Sequence, residues 1–288
     1  MSHELAHPEA LPLMPVPPRW VDELLGSSAP GGARNGGVDV RTSGPAAHAT
    51  TRIHDAVQLD AAVLREKVAS AYRAVIASLD AIGRHPARFW NFIPDIGAPM
   101  VDGLDRYMVF NAGRHDAYSD QCGALGTASA VGIKGSDLSI HCLALEEPGT
   151  PIENPRQTPA WQYSARYGPL PPCFSRATIV DLAGRPTLLI GGTASVVGED
   201  SQHRGQFDAQ VEETLLNLEA LIRTADANAP DALHRLVDLR VYVASPAQAE
   251  RVREVLVTRC PRARHIAIAL AQVCRPELLV EIEGIAEL

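Results

Sequence analysis

The chain has 288 residues, 46% of them hydrophobic, with 26 Lys and Arg against 34 Asp and Glu, a formal net charge of -8 at pH 7. That is enough apolar material for one large core or two small ones. The acidic balance and the lack of any Lys/Arg cluster exclude a basic field for nucleic acid, and no apolar run reaches the ~20 residues of a membrane span.

Residues 1–50 are rich in proline and contain the Gly-Gly pairs 31–32 and 36–37, with little periodicity. They predict a poorly ordered or draped N-terminal arm. They also lack the charged n-region and apolar stretch of a signal peptide. A first module is expected over 51–150. Leu64, Val68, Ala71, Val75, Leu79 and Ile82 recur every three or four residues and predict a helix from Leu59 to Ile82, stopped by Gly83 and Pro86. Phe89–Ile93 reads as an aromatic strand, about 102–116 as a second helix, and 128–133 and 138–145 as strands. A second module is expected over 151–288. After a Pro-rich stretch to 172 it predicts strands at about 176–181 and 186–197 and a helix at 207–225 with Val211, Leu215, Leu218 and Ile222 on one face. A strand at 236–243, a helix at 246–258 and strands at 265–271 and 278–286 complete it. Helix, strand, helix, strand, strand thus occurs twice, about 140 residues apart, which predicts an internal duplication in an α+β fold. In that register His141 of the first copy falls near Glu281 of the second.

The stretch from Cys274 to Gly284 concentrates the chemistry. Leu278, Val280 and Ile282 alternate with Leu279, Glu281 and Glu283, the period of a strand with one buried face. Spacing leaves two readings open: two solvated glutamates, or a desolvated Glu281 with a raised pKa in an active site. Other constellations are weaker. Five cysteines at 122, 142, 173, 260 and 274 are odd in number, widely spaced and without CxxC, which argues against a disulfide framework or zinc knuckle and for a reduced, cytoplasmic compartment. His48, His54, His85 and His115 lack metal-ligand spacing. His203 after Glu199-Asp200-Ser201 has no G-x-S-x-G elbow to make a hydrolase, and Gly191-Gly192 belongs to no nucleotide-binding motif.

Gln210-x-x-Glu213-Thr214-x-x-Asn217-Leu218, Val237-x-Leu239-x-Val241-Tyr242-Val243, Pro261-Arg262-Ala263-Arg264 and Val280–Glu283 resemble the YjgF-like reactive-intermediate deaminases. From about residue 85 the chain resembles a longer family, the chorismatases. The carrying motifs are Arg88–Pro94, Leu104–Tyr107 with Phe110-Asn111-x-Gly113-Arg114, Gly191–Glu199, and Cys274–Glu281. The resemblance implies two YjgF-like (chorismate mutase-like) modules, with mixed β-sheets and helices packed on one face of each. It implies an enzyme that removes pyruvate from chorismate, a small-molecule dianion, without cofactor, metal, nucleic acid or membrane, as a monomer or trimer.

Cleaving the enolpyruvyl ether of chorismate requires protonating a weakly basic vinyl carbon, hence an acid still protonated near neutral pH. The resemblance places Glu281 as that acid. Cys274, with Gly191 or Gly192 and the neighbouring Thr193, then resembles the type that forms 3-hydroxybenzoate, with some 4-hydroxybenzoate left open, rather than the type that hydrolyses chorismate to a dihydrodiol. The two carboxylates call for planar bidentate donors. The candidates are Arg114, Arg166 with Tyr163 and Tyr167, Arg176, and Arg264, which occupies the place of a carboxylate-gripping arginine in the deaminases; Arg262 is an alternative to it. Imine hydrolysis and non-catalytic ligand binding remain the other two classes.

Overall fold

The computed structural model describes residues 11–12, 15–26, 37–118 and 126–288. In chain order the first half contains β1 (Leu11–Pro12), α1 (Arg19–Leu25), β2 (Val38–Ser43), β3 (Ala46–Ile53), α2 (Ala61–Asp80), β4 (His85–Pro94), α3 (Arg106–Tyr118), β5 (Thr127–Ile133) and β6 (Leu138–Leu145). The apolar repeat over 64–79 winds α2, which buries Leu64, Val68, Tyr72, Val75 and Leu79. Asp60 starts it by accepting the Val63 N–H at 2.9 Å, satisfying one of the amides that a helix N-terminus leaves open. Five strands form a sheet in the order β2-β3-β6-β4-β5. Only β4 and β5 are parallel, and α3 makes the crossover such a pair needs.

The second half contains β7 (Thr150–Ile152), β8 (Ala177–Asp181), β9 (Pro186–Ala194), β10 (Val196–Val197), β11 (Asp200–Ser201), α4 (Phe207–Ala225), β12 (Leu236–Val243), α5 (Ala247–Arg259), β13 (His265–Leu270) and β14 (Val280–Glu287). Its main sheet runs β1-β13-β12-β14-β9-β8-β7. Without the flanking β1 and β7, its order from β8 is that of the first sheet from β2, and α5 again crosses between the parallel strands β12 and β13. The duplicated order expected from the sequence is therefore present in an α+β fold, with one addition. Each copy opens with a pair of strands, β2–β3 in the first, so that the boundary expected at residue 51 falls inside β3. The stretch read as an arm up to residue 50 also holds α1, whose Val21 and Leu25 are buried, and β1, which pairs with β13.

Period-2 alternation sorts the side chains into layers. Phe89 and Ile93 of β4 turn to α2 and α3, joining Val68, Val75 and Phe110. Trp90 and Phe92 turn the other way and meet Leu143, Leu189, Tyr242 and Ile285 between the two sheets. In the second half Leu239, Val241, Val280 and Ile282 pack under Leu215, Leu218, Val252 and Leu256 of α4 and α5. The molecule is thus layered helix, sheet, sheet, helix. Among the described cysteines, Cys142, Cys260 and Cys274 are free, whereas Cys173 is disulfide-bonded. The cysteine spacing argues against a disulfide framework and for a reduced compartment; it does not anticipate the bonded Cys173, since spacing along a chain does not reveal which cysteines meet in space.

Candidate active site

The approach to β14 is held by one buried side chain of α4. Gln210 donates to the Glu277 carbonyl and accepts the Leu279 N–H, both at 2.8 Å. The strand that follows pairs Glu281 with Tyr242 of β12 and with Ala194 of β9. Because Val280 and Ile282 face α4, Glu281 and Glu283 both face the layer between the sheets, where they are 4% and 1% exposed. The reading of two solvated glutamates is therefore excluded. Burial, reinforced by the nearby charge of Glu283, raises the Glu281 carboxyl to about 8, against the opposing pull of Arg88 and Arg176. Near pH 7 it is mostly protonated.

Glu281 borders a cavity of about 230 Å³ built from both halves. Gly192 of β9 gives its carboxyl room, since a Cβ there would overlap Oε1. Arg114, on α3, is 1% exposed and lies among the rings of Tyr72, Phe89, Tyr118 and Phe174, 5.3 to 6.0 Å from their centres. Its Nε and Nη2 have no hydrogen-bond partner among the described residues. A buried guanidinium with open donors is costly until an anion meets it. Arg176, just before β8, donates to the Tyr163 hydroxyl at 2.6 Å and the Thr158 carbonyl at 3.0 Å, and its Nε is also unpartnered. The wall facing them carries the 160–167 segment, where Tyr163 and Tyr167 lie 5.3 Å apart.

Cys274 lines the same cavity. Burial, with Glu281 next to it, pushes its thiol up to about 12, so it is an S–H and not a thiolate at neutral pH. Tyr107 lines the cavity beside that thiol, and its hydroxyl is itself raised well above its ordinary value by burial. The cavity thus presents a neutral carboxyl acid and a neutral thiol beside open guanidinium donors, a set suited to delivering a proton to a bound anion.

Eight of the expected site residues come together here: Glu281, Cys274, Arg114, Tyr163, Arg166, Tyr167, Arg176 and Gly192. Arg166 sits at the rim, more than half exposed and already paired with Asp200. Three lie elsewhere. At Gly191 a Cβ would meet Thr127, Ala128 and the Arg176 carbonyl, so its smallness serves the close approach of the two sheets. The Thr193 hydroxyl donates to the Gly191 carbonyl, away from the cavity. Arg264 pairs with Glu287 at 2.7 Å, with a largely exposed side chain, and Arg262 reaches the same carboxylate. The Arg264 amide bonds to Val237, five residues along β12 from the Tyr242 that neighbours Glu281, which is about 17 Å of strand.

Tyr107, Ser129, Phe174 and Arg275 also line the cavity, although the sequence did not single them out. Tyr107 belongs to a motif quoted for the family and Arg275 adjoins Cys274, so those two carried a signal. Ser129 is an ordinary strand serine with none. Arg275 packs 3.9 Å over the Tyr167 ring and donates to the Glu199 carbonyl at 2.8 Å. His141 pairs with Trp90 and Thr50 as Glu281 pairs with Tyr242 and Ala194, the equivalent place in the first copy. It stacks on His48 instead, and burial lowers it to about 4. Among the described residues no three His, Cys, Asp or Glu side chains gather to hold a metal, and no helix is long and apolar enough to cross a membrane.

Fold and site define a two-module α+β protein with a protonated carboxyl in an anion-receptive cleft between its sheets. Residues 25–144 match the family described as "Chorismatase FkbO/Hyg5-like, N-terminal". A 3-hydroxybenzoate synthase from Streptomyces hygroscopicus is 34% identical over 235 residues, 76% of this chain and 69% of that protein. A chorismatase from Streptomyces rapamycinicus is 32% identical, over 69% of this chain and 63% of that one. A chorismatase crystal structure superposes with a TM-score of 0.78 at 27% identity, covering 88% of this chain and 78% of its own. The chain belongs to the chorismatase family.

Proposed function

We propose that the protein converts chorismate to 3-hydroxybenzoate and pyruvate. The observation that carries this reading is Glu281, a carboxyl raised to about 8 inside a cavity that also holds the open guanidinium of Arg114. Arg114 and Arg176 take the two carboxylates, and Glu281 protonates the vinyl methylene carbon of the enolpyruvyl ether. The ring–oxygen bond breaks as the departing group becomes the ketone of pyruvate. The neighbouring ring hydroxyl attacks the carbon thus freed, and its proton returns to the Glu281 carboxylate. The resulting arene-oxide-like ring then aromatises, so that the two products together have the composition of chorismate and no water is consumed.

The thiol of Cys274 and the absence of a side chain at Gly192 favour attack by the ring hydroxyl over attack by water, and a minor share of 4-hydroxybenzoate fits the same site. Incubation of the protein with chorismate, with pyruvate measured enzymatically and the aromatic acids by chromatography, is the direct test. Release should fall tenfold per pH unit above about 8, as the acid ionises. Glu281→Gln should reduce it by more than a hundredfold while chorismate still binds; a variant within tenfold of wild type would refute the general-acid role. Ammonia release from a 2-imino acid, with chorismate untouched, would establish the imine-hydrolysing class instead.

A further inference from the structure

Glu283 shares the strand and the face of Glu281, yet its surroundings are of the opposite kind. Its Oε2 accepts from Arg88 at 2.7 Å and from the Ser129 hydroxyl, and its Oε1 accepts from the Trp90 indole at 3.0 Å. Arg88 is 2% exposed and comes from the first sheet, so this is an ion pair sealed between the two modules. Glu281, two residues away, has no ion-pair partner among the described residues. Ser129 connects Glu283 to the backbone beside Glu281. Its oxygen also accepts the Gly192 N–H at 2.9 Å, and Gly192 is the residue against which the Glu281 carboxyl rests.

We propose that Glu283 is a positioning residue: its charge, locked by Arg88, Trp90 and Ser129, keeps the proton on Glu281, and the Ser129–Gly192 link keeps that carboxyl aimed into the cavity. The groups facing Glu281 are Glu283 on β14, Arg88 on β4, Arg176 before β8, the Cys274 thiol and the Tyr107 hydroxyl of α3. Of the charged ones only Glu283 disfavours ionisation, and after burial it has the largest influence. A desolvated acid flanked by two arginines would otherwise ionise more readily. The buried ion pair is thus part of the acid, one step removed from the substrate. Only the further statement that this proton reaches the substrate rests on the function proposed above.

The test is a direct titration of Glu281 by carbon-13 NMR of protein labelled at the glutamate side-chain carboxyl, its signal assigned by loss in Glu281→Gln. In Glu283→Gln the midpoint should fall by at least one pH unit, a tenfold loss of proton affinity, because Arg88 then acts unopposed. The alkaline limb of pyruvate release should fall with it. The double variant Glu283→Gln/Arg88→Met removes the pair without stranding a buried charge and provides a folded reference if the single variant fails to fold. Its midpoint should lie between those of wild type and Glu283→Gln, and at least half a unit below wild type. An unmoved midpoint in the double variant, or in a folded Glu283→Gln, overturns the proposal. Wild type that leaves chorismate intact would sink the function, while the titration would still decide the role of Glu283.

Discussion

Arg114 and Cys274 show how burial sets the behaviour of a side chain before any ligand arrives. Arg114 stands among four aromatic rings with two donors unpaired, so the folded protein carries an unmet charge there. Arg114→Met should raise KM for chorismate at least tenfold without lowering the melting temperature, since an apolar group of similar length relieves that charge. An unchanged KM would remove Arg114 from carboxylate binding. Cys274 is a protonated thiol, raised by burial and by Glu281, and its proposed influence is on the ring product. Cys274→Ala should shift the ratio of aromatic acid to dihydrodiol on a chromatogram, with total pyruvate release within about tenfold of wild type. A constant ratio would mean that the thiol only fills space.

Among the elements, α2 and α4 could be read from the sequence because each buries one face and so writes its own period into the chain, and β12 and β14 because apolar and polar residues alternate along them although both of their faces are buried. The strands β2 and β3 could not. Ala46-Ala47-His48-Ala49 of β3 is buried without alternation, because the strand lies centrally between a helix layer and a second sheet, and small residues on both faces leave no polar phase to detect. Glu281 and Glu283 illustrate the limit of periodicity. Alternation places both on one face, but whether that face meets water or a second sheet depends on Trp90, Arg88 and Ser129, roughly 150 to 195 residues earlier. Gly191 and Gly192 likewise divide only in three dimensions, one beneath the neighbouring sheet and one beneath the acid. Arg264, matched through the deaminase resemblance, stands at the far end of β12 from Glu281 and pairs with Glu287, a separation that a motif match along the chain does not carry.

At the scale of the molecule, the cavity belongs to neither half alone. Arg114, Tyr107 and Ser129 come from the first, Glu281, Cys274 and Arg176 from the second, and the apolar layer of Trp90, Phe92, Leu189 and Tyr242 lies between them. Residues 38–149 and 150–288 expressed separately should each expose that layer, self-associate, and release no pyruvate, with activity returning only on co-expression. Turnover by 150–288 alone would show that the second half suffices. The Arg88–Glu283 pair has a consequence for how such a chain drifts over generations. Losing either partner strands a buried charge at a cost of about 3–5 kcal/mol, whereas losing both together is close to neutral. Two positions 195 residues apart are therefore expected to change in concert, and carrying both modules on one polypeptide ensures that the two are inherited together.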